Sequence, residues 1–292
     1  MKGLFVVNKY YTDSGIEYVY ARLKEEFNKR GVDFAKKACP PIIYNEKGDA
    51  QVKLDADFVI FWNKDASLAK IIAKEIPVFN SGHSIEVCDD KAKTYLEIEG
   101  NGVKVPKTVV APICYDVTTQ IDEEFLSFCE KELSFPIVIK ENTGSQGRQV
   151  YLATNRIELV ELSQKLIHVP HILQQYVADE RGVDIRIYVV GGKAIASCKR
   201  KNTTGFKSNV HMGGVAEKYE ASESLLRQAE RIASLLGLDY GSVDFLTADG
   251  CFVEANSNAY FKAIESLGYD VAGAYAEHVV KRTEEWYERK DK

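Results

Sequence analysis

No two of the six cysteines stand at Cys-x-x-Cys spacing; positions 39, 88, 114, 129, 198 and 251 are scattered along 292 residues. Isolated cysteines in a chain this long behave as small hydrophobes, which argues against a disulfide framework or a zinc cage. Long apolar runs are missing as well. Asp57-Phe-Val-Ile-Phe-Trp62 is strand-sized and far short of a membrane span. The opening Met1-Lys-Gly-Leu-Phe-Val-Val-Asn8 pairs a charge with an apolar run, but the run is too short for a secretion signal and no small-residue cleavage site follows. A cytoplasmic location is the expectation. Neither sign of charge dominates: 38 Lys plus Arg against 43 Asp plus Glu leave a formal charge of −5. The basic residues are spread rather than blocked, so nothing advertises nucleic acid or a membrane surface. Prolines number only seven, while 45% of residues are hydrophobic and 11% aromatic. That composition buries sizeable cores and excludes a largely disordered chain. The length suggests two or three compact units.

What is present divides into two patterns. Over the first 85 or so residues, strand and helix signals alternate. Leu4–Val7 is a buried-strand run. Ser14-Gly-Ile-Glu17 has capping-box spacing and opens a helix with Ile16, Val19, Tyr20, Leu23 and Phe27 on one side, closed by Gly31. Strands are predicted at Val32–Ala38, Phe58–Trp62 and Pro77–Asn80, with a short helix from Asp65 to Glu75. The alternation implies a small, mostly parallel sheet with helices on both faces. Its first turn has no Gly-x-Gly-x-x-Gly, which argues against a dinucleotide site there.

The remainder reads as α+β with antiparallel strands. Helices are predicted at Asp89–Glu99, Phe125–Leu133, from Asn155 towards His168, Ser222–Leu236 and Asp270–Glu288. Strands are predicted at Pro136–Lys140, Gln149–Leu152 and Ile172–Val177. One hairpin joins Asp184–Val190 to Lys193–Arg200 through Gly191-Gly192, and a second joins Ser242–Leu246 to Cys251–Asn256.

Three constellations can carry chemistry. In the second hairpin, Glu254 and Asn256 share a strand face, and a plausible register brings Asp244 beside Glu254. Two carboxylates and an amide oxygen suit a hard divalent cation such as magnesium; alone, the pattern equally describes an amphipathic hairpin with a solvated face. Lys140 ends a buried strand before a loop bearing Gly144 and Gly147. Glycines let backbone N–H groups approach phosphate, and a lysine adds a point charge; a plain turn explains the loop as well. Asp184 and Arg186 share a strand face, with Arg200 on the partner strand and Lys207-Ser-Asn209 beyond. Arginine forks suit carboxylate and phosphate, although a surface ion pair accounts for any one of them. The histidines at 83, 168, 171 and 278 lack metal-ligand spacing and read as structural.

In order and spacing these residues are similar to the ATP-grasp superfamily, and within it to the RimK and LysX type of amino-acid ligase. The resemblance runs from Asp89 to the C-terminus on Asp90-Lys91, Ile137–Lys140, Gly144-Ser-Gln-Gly147, Gln175-Tyr176, Gly182–Arg186, Phe206–Asn209, Val243-Asp244 and Val253–Asn256. It implies an α/β and α+β chain: an ATP-grasp fold with an N-terminal Rossmann-like pre-ATP-grasp domain (1–88), a central lobe (89–173) and a C-terminal lobe (174–292). It implies that Lys91 and Lys140 contact the phosphates of ATP and that the Gly144, Ser145 and Gly147 loop closes over them. Gln175, Tyr176 and Val177 would line the adenine slot, with Asp179 or Asp184 near the ribose edge. Lys207 and Asn209 would touch phosphate, while Asp244, Glu254 and Asn256 would hold two magnesium (or manganese) ions. Arg186 and Arg200 would stabilise the transferring phosphoryl group. The implied activity is ATP-dependent amide-bond formation through an acyl-phosphate, passing glutamate or another amino acid to a protein, peptide or small-molecule acceptor; a homo-oligomer is compatible with it. A macrocyclising ligase and a nucleotide-binding regulator without turnover are the alternatives. One departure stands out: Asn256-Ser-Asn258 continues as Ala259-Tyr260-Phe261, where the family usually has Pro-Gly beside the acceptor pocket. A second is Arg148-Gln149, where a further glycine is common.

Overall fold

Strand β1 (Lys2–Val7) is apolar without alternation because both of its faces are covered: Leu4, Phe5, Val6 and Val7 are all buried. The computed structural model describes residues 1–116, 118–145, 147–179, 182–202 and 214–290. Helix α1 (Ser14–Lys29) follows and lays Ile16, Val19, Leu23 and Phe27 against the sheet. Its cap is Asp13 rather than Ser14: Asp13 Oδ1 accepts from the Ile16 amide at 2.8 Å, so the capping-box reading was one residue late. Next come β2 (Asp33–Ala38), a two-stranded ribbon of β3 (Ile43–Tyr44) and β4 (Ala50–Gln51), β5 (Phe58–Trp62), α2 (Ala66–Ile72) and β6 (Val78–Phe79). The larger sheet has the order β2-β1-β5-β6 with every pair parallel.

The single helix expected over Asp89–Glu99 is two, α3 (Gly82–Asp89) and α4 (Lys91–Glu97). Between them Asp90 is extended, and its Oδ1 accepts from the amides of Ala92 (3.0 Å) and Lys93 (3.2 Å). An aspartate that finds its own backbone donors starts a new helix instead of continuing the old one. Lys91 is thereby fixed at the first position of α4.

A second sheet contains β7 (Thr108–Val110), β8 (Ile137–Glu141), β9 (Val150–Ala153) and β10 (His171–Gln175), in the order β7-β10-β8-β9 and antiparallel throughout. Helices α5 (Glu123–Leu133) and α6 (Arg156–Leu166) pack their apolar sides on it through Leu126, Leu133, Leu159 and Leu166. Strand β10 stops at Gln175, so Tyr176 and Val177 lie beyond the strand predicted to contain them.

The third sheet holds β11 (Val183–Val190), β12 (Lys193–Lys201), β13 (Val215–Lys218), β14 (Tyr240–Phe245) and β15 (Phe252–Asn256), ordered β13-β12-β11-β14-β15. The β11–β12 turn needs positive φ at two successive residues, and Gly191 (55°) and Gly192 (78°) supply it. Helix α7 (Glu223–Leu235) covers one face with Leu225, Ala229 and Ile232. After α8 (Lys262–Glu265), the terminal α9 (Val271–Lys290) returns to pack on α1. One apolar cluster therefore joins Phe5, Phe27 and Phe58 to Tyr240, Phe261 and Tyr275. Among the described residues no helix is long and apolar enough to cross a membrane.

Candidate functional site

A cleft of about 940 Å³, continuous with solvent, lies between the second and third sheets. Lys91 of α4, Lys140 of β8, Gly144, Ser145 and Gly147 of the following loop, and Gln175, Tyr176 and Val177 line one side. Asp184, Arg200, Asp244 and Glu254 come from the third sheet. Thus 12 of the residues singled out from the sequence border one space.

The lysine side of the cleft is built from three short devices. Lys91 donates its backbone N–H to Asn142 O at 3.0 Å, and its Nζ lies 3.4 Å from the same oxygen, tying α4 to the end of β8. Lys140 is half-buried; burial pushes its ammonium down to about 8, Glu254 opposes the shift and Lys91 adds to it. Gly147 has φ 72°, where a side chain is strained. A Cβ on Gly144 would sit 2.7 Å from Gln149 Oε1, which itself accepts from the Ser145 amide at 3.3 Å.

Across the cleft, strand register does the placing. Asp184 pairs with Arg200, Arg186 with Asp244, and Asp244 with Glu254. All point to one face, because each cross-strand partner projects to the same side. Arg186 grips Asp244 with Nε (2.8 Å) and Nη2 (2.6 Å). Arg200 grips Asp184 with Nε (2.7 Å) and Nη2 (2.5 Å), and its Nη2 also reaches Asp244 Oδ2 (2.8 Å). Burial would raise the Asp244 carboxyl, but the two guanidiniums outweigh it and hold it below its ordinary value. The same carboxylates hold both arginines well above theirs. With its amide nitrogen turned toward Glu254, Asn256 donates to Glu254 Oε1 at 3.0 Å and accepts from Arg186 Nη2 at 3.2 Å.

A nucleotide and a divalent cation fit this chemistry. Two lysines and glycine-borne backbone face the cleft from one lobe, and the buried Asn142 Oδ1 beside the loop has no partner among the described residues. On the other lobe Asp244, Glu254 and Asn256 offer the hard oxygens that magnesium or manganese prefers. Both Asp244 oxygens already receive guanidinium N–H groups, yet each carboxylate oxygen accepts from more than one direction.

Asp184 lines the cleft while its two oxygens accept from Arg200, and Asp179 Oδ2 accepts from the Ala248 amide at 2.8 Å, holding the β14–β15 turn. Arg186 and Asn256 do not line the cleft itself but stand behind Asp244 and Glu254. Lys207 and Asn209 lie outside the described residues. Sequence reasoning missed Gln174, which is buried in the cleft wall and donates to Tyr95 Oη (2.7 Å) and Thr108 Oγ1 (2.8 Å). It also missed Gln149. The only signal for either was a polar residue inside or beside an apolar strand run.

The family profile described as a RimK-like ATP-grasp domain matches residues 88–279. N-acetylaspartylglutamate synthase A of Homo sapiens is 31% identical over 247 residues, which is 82% of this chain and 60% of that protein. A probable alpha-L-glutamate ligase of Mannheimia succiniciproducens is 29% identical, over 74% of this chain and 71% of that one. The chain therefore spans about 60% of the length of the human relative. In fold it is similar to the RimK domain ATP-grasp protein of Sphaerobacter thermophilus, with a TM-score of 0.72 at 20% identity over 95% of this chain and 99% of the other. With the match covering most of the chain, the chain belongs to the RimK-like ATP-grasp family.

Proposed function

We propose that the chain is an ATP-dependent ligase that joins a carboxylate to an amine through an acyl-phosphate. The observation that carries this reading is the meeting, in one cleft, of Lys91, Lys140 and a glycine loop with Asp184, Arg200, Asp244 and Glu254, backed by Arg186 on Asp244. A carboxylate is a poor acylating agent at neutral pH. Attack of its oxygen on the γ-phosphorus releases ADP, and attack of an amine on the activated carbonyl then expels phosphate. Such transfers need positioning and charge stabilisation more than covalent help from the protein.

Lys91 and Lys140 supply point charges for phosphate oxygens, and backbone N–H groups of the Gly144–Gly147 loop supply directed donors. Asp244, Glu254 and Asn256 would hold magnesium, which when bound neutralises phosphate charge and aligns the oxygens for in-line displacement. Arg186 and Arg200 are oriented before any ligand arrives, because their carboxylate partners are fixed by strand register. Preorganised cations of this kind need no rearrangement as charge develops. Gln175, Tyr176 and Val177 form the wall suited to the flat base. The transferred group is a glutamate-like amino acid, in keeping with the names of the human and Mannheimia relatives.

Release of ADP and phosphate with magnesium and a panel of acid–amine pairs, read with product mass, tests the reading. Turnover with at least one pair is expected, lost in Glu254→Ala and in Arg186→Ala. Tight ATP binding without turnover for any pair sinks it in favour of a regulatory nucleotide binder.

A further inference from the structure

The ladder between β14 and β15 slips by one residue beside the site. Asp244 pairs with Glu254, yet Phe245 pairs with Phe252, so Val253 is an extra residue with no partner on β14. A bulge of this kind disrupts the ladder locally and re-aims the side chain next to it. Here the neighbouring side chain is Glu254, which lines the cleft as Val253 does. Asp244 is fixed by two guanidiniums, whereas the Glu254 carboxylate receives the Asn256 amide and, among the described residues, no guanidinium or ammonium. Its direction therefore depends on the backbone that carries it.

That backbone is pinned from behind the cleft wall. Tyr95 of α4 does not line the cleft, but its Oη donates to Val253 O at 3.2 Å and accepts from Gln174 Nε2 at 2.7 Å. The second Gln174 N–H goes to Thr108 Oγ1 at 2.8 Å, and Thr108 Oγ1 donates in turn to Pro106 O at 2.7 Å. Every proton in this chain has one place to go, since a phenol and a hydroxyl each have one to give and an amide has two. Burial pushes the Tyr95 phenol well above its ordinary value, so it keeps that proton. The ring stands edge-on to Phe252, with centroids 6.3 Å apart and planes at 86°. Tyr95 thus meets the strand that carries Glu254 on one side and the Gln174 wall of the cleft on the other.

We propose that Tyr95 is a positioning residue: its phenol locks the bulge at Val253 to Gln174 and so directs the Glu254 carboxylate towards a divalent cation on the phosphates of a nucleotide. The inference rests on the ligase reading. Without the hydroxyl, Val253 O loses this donor and the bulge is free to relax, while Gln174 stays in the nucleotide wall. The loss then falls on the metal-dependent part of nucleotide binding and on kcat.

The test uses an ATP analogue with a methylene group between its β- and γ-phosphates. Calorimetry gives its Kd with Mn2+ and in EDTA for the wild type, Tyr95→Phe and Gln174→Met, with thermal unfolding followed in parallel. The wild type is expected to bind the analogue more tightly with Mn2+. Tyr95→Phe, which keeps the ring, is expected to lose about tenfold of that enhancement, the scale on which residues that orient metal ligands act, with Kd in EDTA changed less than about twofold. Its kcat should fall by a similar factor. Gln174→Met withdraws the donor that orients the phenol; it is expected to lose a smaller part of the enhancement and carries the test if Tyr95→Phe does not fold. A folded Tyr95→Phe with an unaltered enhancement overturns the proposal, as does one that loses affinity equally with Mn2+ and in EDTA, or a wild type with no enhancement. A wild type that shows the enhancement but turns over no acid–amine pair overturns the ligase reading instead, which is a separate failure.

Discussion

Arg186 and Asp244 are direct cross-strand partners on β11 and β14, joined by two parallel hydrogen bonds of 2.8 and 2.6 Å. The carboxylate that the sequence offers to a metal is therefore also the one that fixes a guanidinium. Because Arg200 reaches the same carboxylate, Asp244 sets the position of both arginines at once. A site organised this way couples arginine orientation and the stability of the third sheet through a single residue.

Asp244→Asn should therefore unfold more easily as well as lose activity. Removing one member of a buried ion pair leaves an uncompensated charge and costs about 3 kcal/mol or more. That corresponds to a fall in Tm of roughly 6 °C for a chain of this size. The sign with pH follows from the lowered carboxyl: its stabilisation is present above the ordinary carboxylate range and is lost as pH falls through and below it. Thermal melts of wild type and variant between pH 3 and pH 7 should therefore converge on acidification. Parallel curves would show that Asp244 contributes nothing through its charge.

Lys140 predicts a pH dependence at the other end. Its ammonium sits at about 8 because burial disfavours the charge, so part of the population is neutral at mildly alkaline pH. A bound phosphate restores the charge, and ATP binding should take up protons near pH 8 and weaken as pH rises towards 9. The stability of the free protein runs the opposite way. The unfolded lysine binds its proton more tightly, so this residue adds stability as pH rises from about 8 towards 10.5. Calorimetric titration with ATP in buffers of different ionisation enthalpy measures the uptake. Lys140→Arg, which stays charged, should abolish it.

Most of the fold was legible because its elements are local and strongly patterned. The Phe58–Trp62 run, the Gly191-Gly192 turn and the Asp244–Glu254 register all follow from apolar runs, glycine conformation and side-chain alternation, and all are found. The break at Asp90 was invisible because one aspartate decided between continuing a helix and capping a new one. Site residues on strands were legible for the same reason that strands were. The Asp184–Arg200 fork was not, since nothing local to Asp184 says that Arg200, sixteen residues away, reaches both of its oxygens. Tyr260 read only as a departure from a pattern; its contacts with Trp62 and Asp13 join segments about 200 residues or more apart in sequence, which short-range periodicity does not encode.

Such long-range contact has its own test at Asn80, which follows β6 and is almost fully buried. Its Nδ2 donates to Tyr240 O (2.7 Å) and Ser257 O (2.6 Å), while its Oδ1 accepts from the amides of Asp239 (2.8 Å) and Tyr240 (3.0 Å). One side chain thus completes the start of β14 and pins the residue after Asn256. Asn80→Ala would leave buried backbone groups without partners, at a cost of about 3 kcal/mol. Asn80→Asp should be nearly as harmful, because a carboxylate cannot donate to the two carbonyls. Urea denaturation of both variants checks this, and a loss below about 1 kcal/mol in Asn80→Ala would mean that water or neighbouring groups replace the amide.

Asp184 separates two accounts of the cleft. If its carboxylate served the nucleotide, Asp184→Asn would raise KM for ATP and leave kcat largely intact. Both oxygens accept from Arg200, at 2.5 and 2.7 Å, and the prediction is that the residue acts by holding a guanidinium in place. An amide in its position keeps one acceptor and turns a donor toward Arg200, which loosens and displaces the fork without emptying the nucleotide wall. The expected result is a fall in kcat of about 100-fold, the scale associated with a misplaced electrostatic stabiliser, with KM for ATP changed by less than about threefold. Asp184→Glu, which keeps the charge but shifts the carboxylate outward by one methylene, should recover only part of kcat. Steady-state kinetics at saturating magnesium distinguish the accounts, and a KM effect larger than the kcat effect would return Asp184 to the nucleotide.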